Sequence, residues 1–532
     1  MRSSEALPDL PARAYSRMPD APPLTEEELA PEPAALALLP AAAASELGVL
    51  PLALDGPRLR VAVADLRDFE TLDAARAATG RPLRPRAADP AALADAIDRA
   101  YGSHAERMIA GMGGAEGGPG GDAEGASSVD LARQLEELAR EPTVVNLVNL
   151  LLHDAVQAGA SDVHIEPFEK KLLVKYRIDG LLHPVAPPPW HLRDAVTSRI
   201  KVIAGLDIAE RFLPQDGHID FELLAGAAGG GRRKVDLRVS TVPTVHGESV
   251  VMRILDRASA LKGVEELGLD ERRHHALTDA LAHPHGIFLV TGPTGSGKST
   301  TLYAALQHLH DPTKKVLTIE DPVEYELEGV NQIPVNPKRG LGFADGLRAI
   351  LRQDPDVVMI GEIRDRETAE IAIRAALTGH LVLSTLHTND AAGAVNRLVD
   401  MGVEPFLVAS SLRAVLAQRL VRKVCEGCRR EAPASPALLR RLGHLRDAAA
   451  GRSFWEGAGC RACRGVGYRG RRAVFELLPV TEPLREAINR GASVGELRAL
   501  FPEHHVPMIE DGYRLACEGV TTLEEVVAVA AA

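Results

Sequence analysis

The stretch Gly292-Pro293-Thr294-Gly295-Ser296-Gly297-Lys298-Ser299 constrains this chain more than any other. It fits G-x-x-x-x-G-K-[ST], follows the apolar run 287–290 and leads into a helical pattern at 301–306. A strand, a glycine-rich turn and a helix in that order form a phosphate-binding loop. Its glycines let backbone N–H groups turn inward around phosphate oxygens, and the helix N-terminus adds partial positive charge. Lys298 is placed to reach the β- and γ-phosphates and Ser299 to ligand Mg²⁺, with Thr300 completing the phosphate-binding set. Further apolar runs at 316–319, 357–360 and 381–384 alternate with helical patterns. That alternation predicts an α/β fold around a mostly parallel sheet.

Hydrolysis also needs a group that activates water. The run 357–360 ends in Gly361-Glu362, so glycine stands where an acidic pair is usual and Glu362 remains as a general base. Thr318-Ile319-Glu320-Asp321-Pro322 follows another strand, which puts Glu320 and Asp321 at a C-terminal strand edge, where α/β sheets bind ligands. Glu320 is the expected second acidic group, on the magnesium side. His387 ends the run Leu383-Ser384-Thr385-Leu386; by spacing alone it reads as a structural histidine.

Two C-x-x-C pairs, Cys425/Cys428 and Cys460/Cys463, supply four thiolates suited to a closed, structural zinc site. Gly427 and Gly459 are expected to permit the tight turns. Cys517 is left over in a helical pattern and reads as a buried thiol.

Composition shifts divide the chain. Residues 1–31 are expected to be an arm, 32–105 a small α/β unit, and 106–128, with its glycine run 111–121, a linker. Residues 129–258 read as a second α/β domain with a surface loop at 226–231, and 259–420 as the phosphate-loop core. The cysteine module occupies 421–475, and a helical region 476–532.

Taken together these segments resemble the secretion-ATPase superfamily, specifically the ATPases of type II secretion and type IV pilus assembly. The resemblance rests on segments in order: 160–167 (ASDVHIEP), 176–180 (YRIDG), 206–210 (LDIAE), 213–217 (LPQDG), 318–324 (TIEDPVE), 347–356 (LRAILRQDPD), 361–365 (GEIRD) and 378–387 (TGHLVLSTLH). It implies a RecA-like ATPase domain, preceded by a PAS-like α/β domain and a small N-terminal docking domain, with a zinc-binding insertion. It implies ATP, Mg²⁺ and Zn²⁺. Glu320 falls in an aspartate box, Glu362 is similar to a catalytic glutamate, and His387 becomes functional as part of a histidine box. Arg238 matches an arginine that reaches the phosphates. The family pattern also has paired arginines before Leu213 and another after Gly217; here those positions hold Arg211-Phe212 and His218. The family assembles as hexamers, and its small N-terminal domain docks on an inner-membrane secretion platform and in some members binds cyclic di-GMP; the arginine- and glutamine-bearing pattern of the binding version is not found here, so docking is the expected role. The expected role is driving pseudopilus assembly and protein export in type II secretion. Type IV pilus extension is the alternative, and a nucleotide-binding regulatory scaffold is a reading of another class. The single N-terminal unit and His246-Gly247-Glu248 lean toward secretion.

Charge bears on partners. The net charge of −12 argues against a protein that coats nucleic acid. No apolar run reaches the roughly 20 residues of a membrane span, and the short run 34–44 has no basic leader, so a cytoplasmic protein peripheral to the inner membrane is expected. Residues 411–472 nevertheless hold fifteen Lys and Arg against four Asp and Glu, a basic island that suits an acidic phospholipid surface.

Overall fold

The computed structural model describes residues 24–101 (except 26–27, 37, 40–42 and 45–46), 141–224, 232–256 and 262–531. The expected linker, the loop at 226–231 and most of the expected arm lie outside the described residues. The chain divides into two compact units, Met1–Leu255 and Asp256–Ala532.

In the first unit, three strands form a sheet in the order β1-β2-β3: β1 (Leu50–Asp55), β2 (Arg58–Val63) and β3 (Leu83–Ala87). Leu59, Val61 and Val63 are buried in its core with Leu93 and Ile97 of the helix Pro90–Tyr101. Leu24 and Leu29 are buried in the same core, and Leu24 bridges to Ala88, so this folded unit begins before residue 32.

The same unit holds a six-stranded antiparallel sheet in the order β6-β5-β4-β9-β8-β7. Its strands are β4 (Asp162–Pro167), β5 (Leu172–Ile178), β6 (Leu181–Val185), β7 (Gln215–Leu224), β8 (Arg232–Thr244) and β9 (Gly247–Asp256). Val144, Leu147, Val148 and Leu151 form the buried stripe of helix Pro142–Gln157 against Leu172, Val174 and Tyr176 of β5.

The second unit is built on a seven-stranded sheet, β12-β11-β13-β14-β10-β15-β18. Here β10 is Gly286–Thr291, β11 Val316–Glu320, β12 Asn331–Pro334, β13 Val357–Ile360, β14 Leu381–Leu386, β15 Leu412–Val424 and β18 Tyr468–Pro479. All neighbours run parallel except β15 and β18. Every residue of β10 and β14 is buried, which is why they read as unbroken apolar runs. Alternate residues serve two cores: Phe288, Val290, Val316 and Leu416 pack on one face, Ile287, Leu289, Ile319 and Ala417 on the other. The cysteine module is an insertion between β15 and the edge strand β18. It holds a two-stranded sheet, β16 (Arg429–Pro433) and β17 (Ser453–Gly457), and β18 returns to the main sheet from Tyr468, earlier than the expected boundary at 475.

Candidate functional site

The phosphate loop spans the gap between β10 and the helix Lys298–Leu309. That helix starts at Gly297 in the left-handed region (φ 87°), and no side chain caps it. Its first N–H groups are therefore available to an anion, whereas helices Arg366–Leu377 and Ala391–Asp400 spend theirs on Asp365 and Asp390. Lys298 Nζ donates to the carbonyls of Gly292 (2.8 Å) and Pro293 (3.0 Å) and so lies over the loop. Burial lowers the Lys298 pKa, and the nearby charge of Glu362 partly offsets that. Pro293, Thr294, Gly295 and Ser299 are exposed along the open side. The donor set fits a polyphosphate: uncapped backbone N–H groups, an ammonium and a hydroxyl.

Beside the loop, the C-terminal ends of β13 and β14 bring Glu362 and His387 together. His387 Nε2 lies 3.2 Å from Glu362 Oε2, a hydrogen bond that forms with Nε2 protonated. Arg364 makes an ion pair with the other oxygen of Glu362. Burial alone would raise the Glu362 pKa; Arg364 and His387 outweigh it and hold the carboxyl below the usual carboxylate range. Hydroxyls fix the strand ends. Ser384 Oγ donates to the Ile360 carbonyl (2.8 Å), Thr385 Oγ1 to the Gly361 carbonyl (2.7 Å), and Thr388 N donates to Thr291 Oγ1 (3.0 Å).

A base must be ionised to act, so the general-base role expected of Glu362 predicts that activity falls as pH drops through its pKa. Arg364→Ala removes the larger stabiliser of that carboxylate. The acid limb of the kcat/KM profile should then move to higher pH. A limb that stays in place would show that Glu362 does not limit the rate.

Glu320 lies at the strand end expected of it. It is buried at the end of β11, where Thr318 Oγ1 (2.6 Å) and Gln332 Nε2 (3.0 Å) donate to Oε1 and Tyr303 Oη donates to Oε2. Burial and this carboxylate together raise the Tyr303 pKa. Three neutral donors reach its two oxygens, so Glu320 also braces the end of β11. The exposed acidic group whose charge acts on Arg364 is Asp321. Asp321 was expected at this strand edge beside Glu320, whereas Arg364, two residues beyond Glu362, was absent from the expected set.

Arg238 belongs to the first unit. It lies on β8 directly opposite His218 on β7, so the arginine and the histidine at a family arginine position form a cross-strand pair. Arg211 donates to Asp194 (3.1 Å), while its neighbour Phe212 is 85% exposed. Glu248 is buried against Lys201 (2.5 Å), which gives that part of His246-Gly247-Glu248 a structural role.

The four cysteine sulfurs lie within 4.8 Å of one another. Cys425–Cys460, Cys428–Cys463 and Cys460–Cys463 are each 3.7 Å apart. Tetrahedral zinc with Zn–S bonds of about 2.3 Å needs sulfurs about 3.8 Å apart, so the set fits that ion. Burial would raise the Cys463 pKa, but N–H donation from Cys460 (3.1 Å) and Gly467 (3.2 Å) overrides it and holds the thiol down to about 6. Gly459 is required at φ 88°, where a Cβ would sit 2.6 Å from the Gly465 carbonyl; Gly427 has no such constraint. Cys517 is exposed, contrary to expectation, because it falls in the last turn of its helix.

The family model described as "Type II/IV secretion system protein" matches residues 137–528, and the MshEN domain model matches 20–107. A type II secretion system protein E from Xanthomonas campestris is 47% identical over 89% of this chain and 81% of its own length. The type IV pilus assembly ATPase PilB of Myxococcus xanthus is 43% identical over 93% and 86%. Among solved structures, the ATPase DotB of Legionella pneumophila shares the fold, at TM-score 0.53 and 23% identity, covering 72% of this chain and 94% of its own. With the phosphate loop, the Glu362 cluster and a family match over most of its length, the chain belongs to the type II/IV secretion system protein family and is an ATPase of that family.

Proposed function

We propose that this chain is a homohexameric motor that hydrolyses ATP to drive pseudopilus assembly and protein export in type II secretion. The observation that carries the reading is the convergence of Glu362, His387 and Arg364 beside the loop that bears Lys298. In this reading Glu362 positions the attacking water and accepts its proton, and His387 holds the Glu362 carboxylate in place. Lys298 and the loop N–H groups, from Gly292 to Thr300, hold the phosphates. Arg238 offsets charge on the transferring γ-phosphoryl group. The Ser299 hydroxyl is the residue that would hold Mg²⁺. When bound, that ion neutralises the phosphate oxygens. Cys425, Cys428, Cys460 and Cys463 would hold a structural zinc.

The N-terminal unit would dock on an inner-membrane platform, and the basic module around the cysteines would face acidic phospholipid, keeping the protein peripheral to the membrane. Among the described residues no helix is long and apolar enough to cross a membrane. Type IV pilus assembly is the second reading, favoured by the M. xanthus relative, which aligns over more of this chain than the X. campestris one. A null strain separates the two: lost export with intact pili supports the first, lost pili with intact export the second.

The motor reading makes hydrolysis depend on assembly. A chain fused to a hexamerising scaffold should turn over ATP several-fold faster per chain than a dilute monomer. Equal rates would overturn the shared-site reading.

A further inference from the structure

Gln418 lies on β15, one residue beyond Ala417, which pairs with Thr291, the last residue of β10. Its side chain points to the sheet face that carries the phosphate-loop helix, as Ala414 and Leu416 do. It is 2% exposed, and both ends of its amide are used. Gln418 Nε2 donates to the Ser296 carbonyl (2.7 Å), and Gln418 Oε1 accepts from Thr301 Oγ1 (2.7 Å). One amide therefore joins the middle of the loop to the first turn of the helix that follows.

The same residue forms the back wall of the loop. A Cβ on Gly292 would lie 2.3 Å from the Gln418 carbonyl oxygen, and a Cβ on Gly297 would lie 2.8 Å from Gln418 Nε2. Two loop glycines are thus needed partly because Gln418 stands behind them. A peptide whose carbonyl is held on the buried side keeps its other polar groups oriented toward the open side. No other side chain donates to a carbonyl of residues 294–297 among the described residues.

We propose that Gln418 is a positioning residue for nucleotide binding: its amide holds the phosphate loop in the form that accepts phosphate. It touches no substrate atom. The inference rests on the phosphate-binding reading of the loop and goes beyond it by naming what shapes the loop from outside the motif.

The test uses the full chain with a fluorescent ADP analogue for Kd and steady-state ATP hydrolysis for KM and kcat. Gln418→Met keeps the length and removes both hydrogen bonds. A loop that holds phosphate equally in ground and transition states predicts Kd and KM up about tenfold and kcat within about threefold of wild type. Gln418→Glu keeps the acceptor for Thr301 but sets a carboxylate oxygen against the Ser296 carbonyl. Its Kd should be weak near pH 8 and recover as pH falls and the protonated carboxyl regains a donor, relative to a wild-type series at the same pH values. A merely structural role would not give that pH-dependent rescue. Thr301→Val removes the bracket from the helix side, so the proposal stays testable if the Gln418 variants fold poorly. Its effect on Kd should shrink sharply when combined with Gln418→Met.

Wild-type Kd and KM in Gln418→Met, a loss in kcat alone, or full additivity with Thr301→Val would each overturn the proposal. Lys298→Ala separates this failure from failure of the site itself. If wild type and Lys298→Ala bind the analogue equally, the loop reading fails; if only Lys298→Ala loses binding, the Gln418 inference fails alone.

Discussion

Glu362→Gln is expected to lower kcat by about 10²- to 10⁴-fold while ATP binding persists, the range a positioned general base contributes. The substitution keeps the size of the side chain and a hydrogen-bond acceptor for His387. It removes the negative charge that Arg364 and His387 hold in the ionised form, and with it the capacity to take a proton. Phosphate contacts come from a different segment, Lys298 and the loop N–H groups, so the affinity loss should stay small. Lys298→Ala should show the opposite pattern, lost binding. Export measured in the same Glu362→Gln strain links chemistry to work. If cargo still leaves the cell while hydrolysis is abolished, hydrolysis does not drive export and the motor reading falls.

These residues differ in how far the sequence exposes them. Lys298, Ser299, Glu362 and His387 sit in short contiguous strings next to apolar runs, and a strand end in an α/β sheet is already a statement about where a side chain lies. Glu320 and Asp321 are adjacent, and the sequence alone favoured the first. Strand parity separates their surroundings: Val316, Thr318 and Glu320 share the face under the phosphate-loop helix, so Glu320 is drawn to Tyr303 and into the core while Asp321 stays exposed. The same parity puts Gln418 with Ala414 and Leu416, yet 122 residues separate it from Ser296 in the loop it braces. Nothing local in a long strand announces a partner that distant. Arg364 was hidden for another reason, since an exposed arginine two residues from a glutamate is ordinary until backbone geometry turns both toward one point. Cys517 was misread because helical periodicity ignores where a helix ends.

With zinc at the four cysteines as proposed, its removal should unfold the insertion while sparing nucleotide binding. Cys425 follows the last residue of β15, and Cys463 lies five residues before β18 begins, so the four thiolates close the open end of two long paired strands. Between them, 425–467 has only a two-stranded sheet and short helices, with a small core of Leu442, Ala449 and Phe454 against the C-terminal helices. So small a core is marginal without a staple. Structural zinc supplies apparent binding energies of about 10–16 kcal/mol in small modules, and that energy is folding energy. Chelation, or Cys425→Ser, should therefore release one zinc per chain and open 425–467 to protease. Trp455 reports the change directly, because Arg429 lies 4.9 Å over its ring; in a Trp190→Phe background its emission should shift to the red on chelation. The phosphate loop, held by β10, β15 and Gln418, should keep its affinity for ADP. Acid should release the metal too, since a thiolate ligand is lost once protonated. A chain that binds no zinc yet protects 425–467 from protease would show that packing alone holds the module.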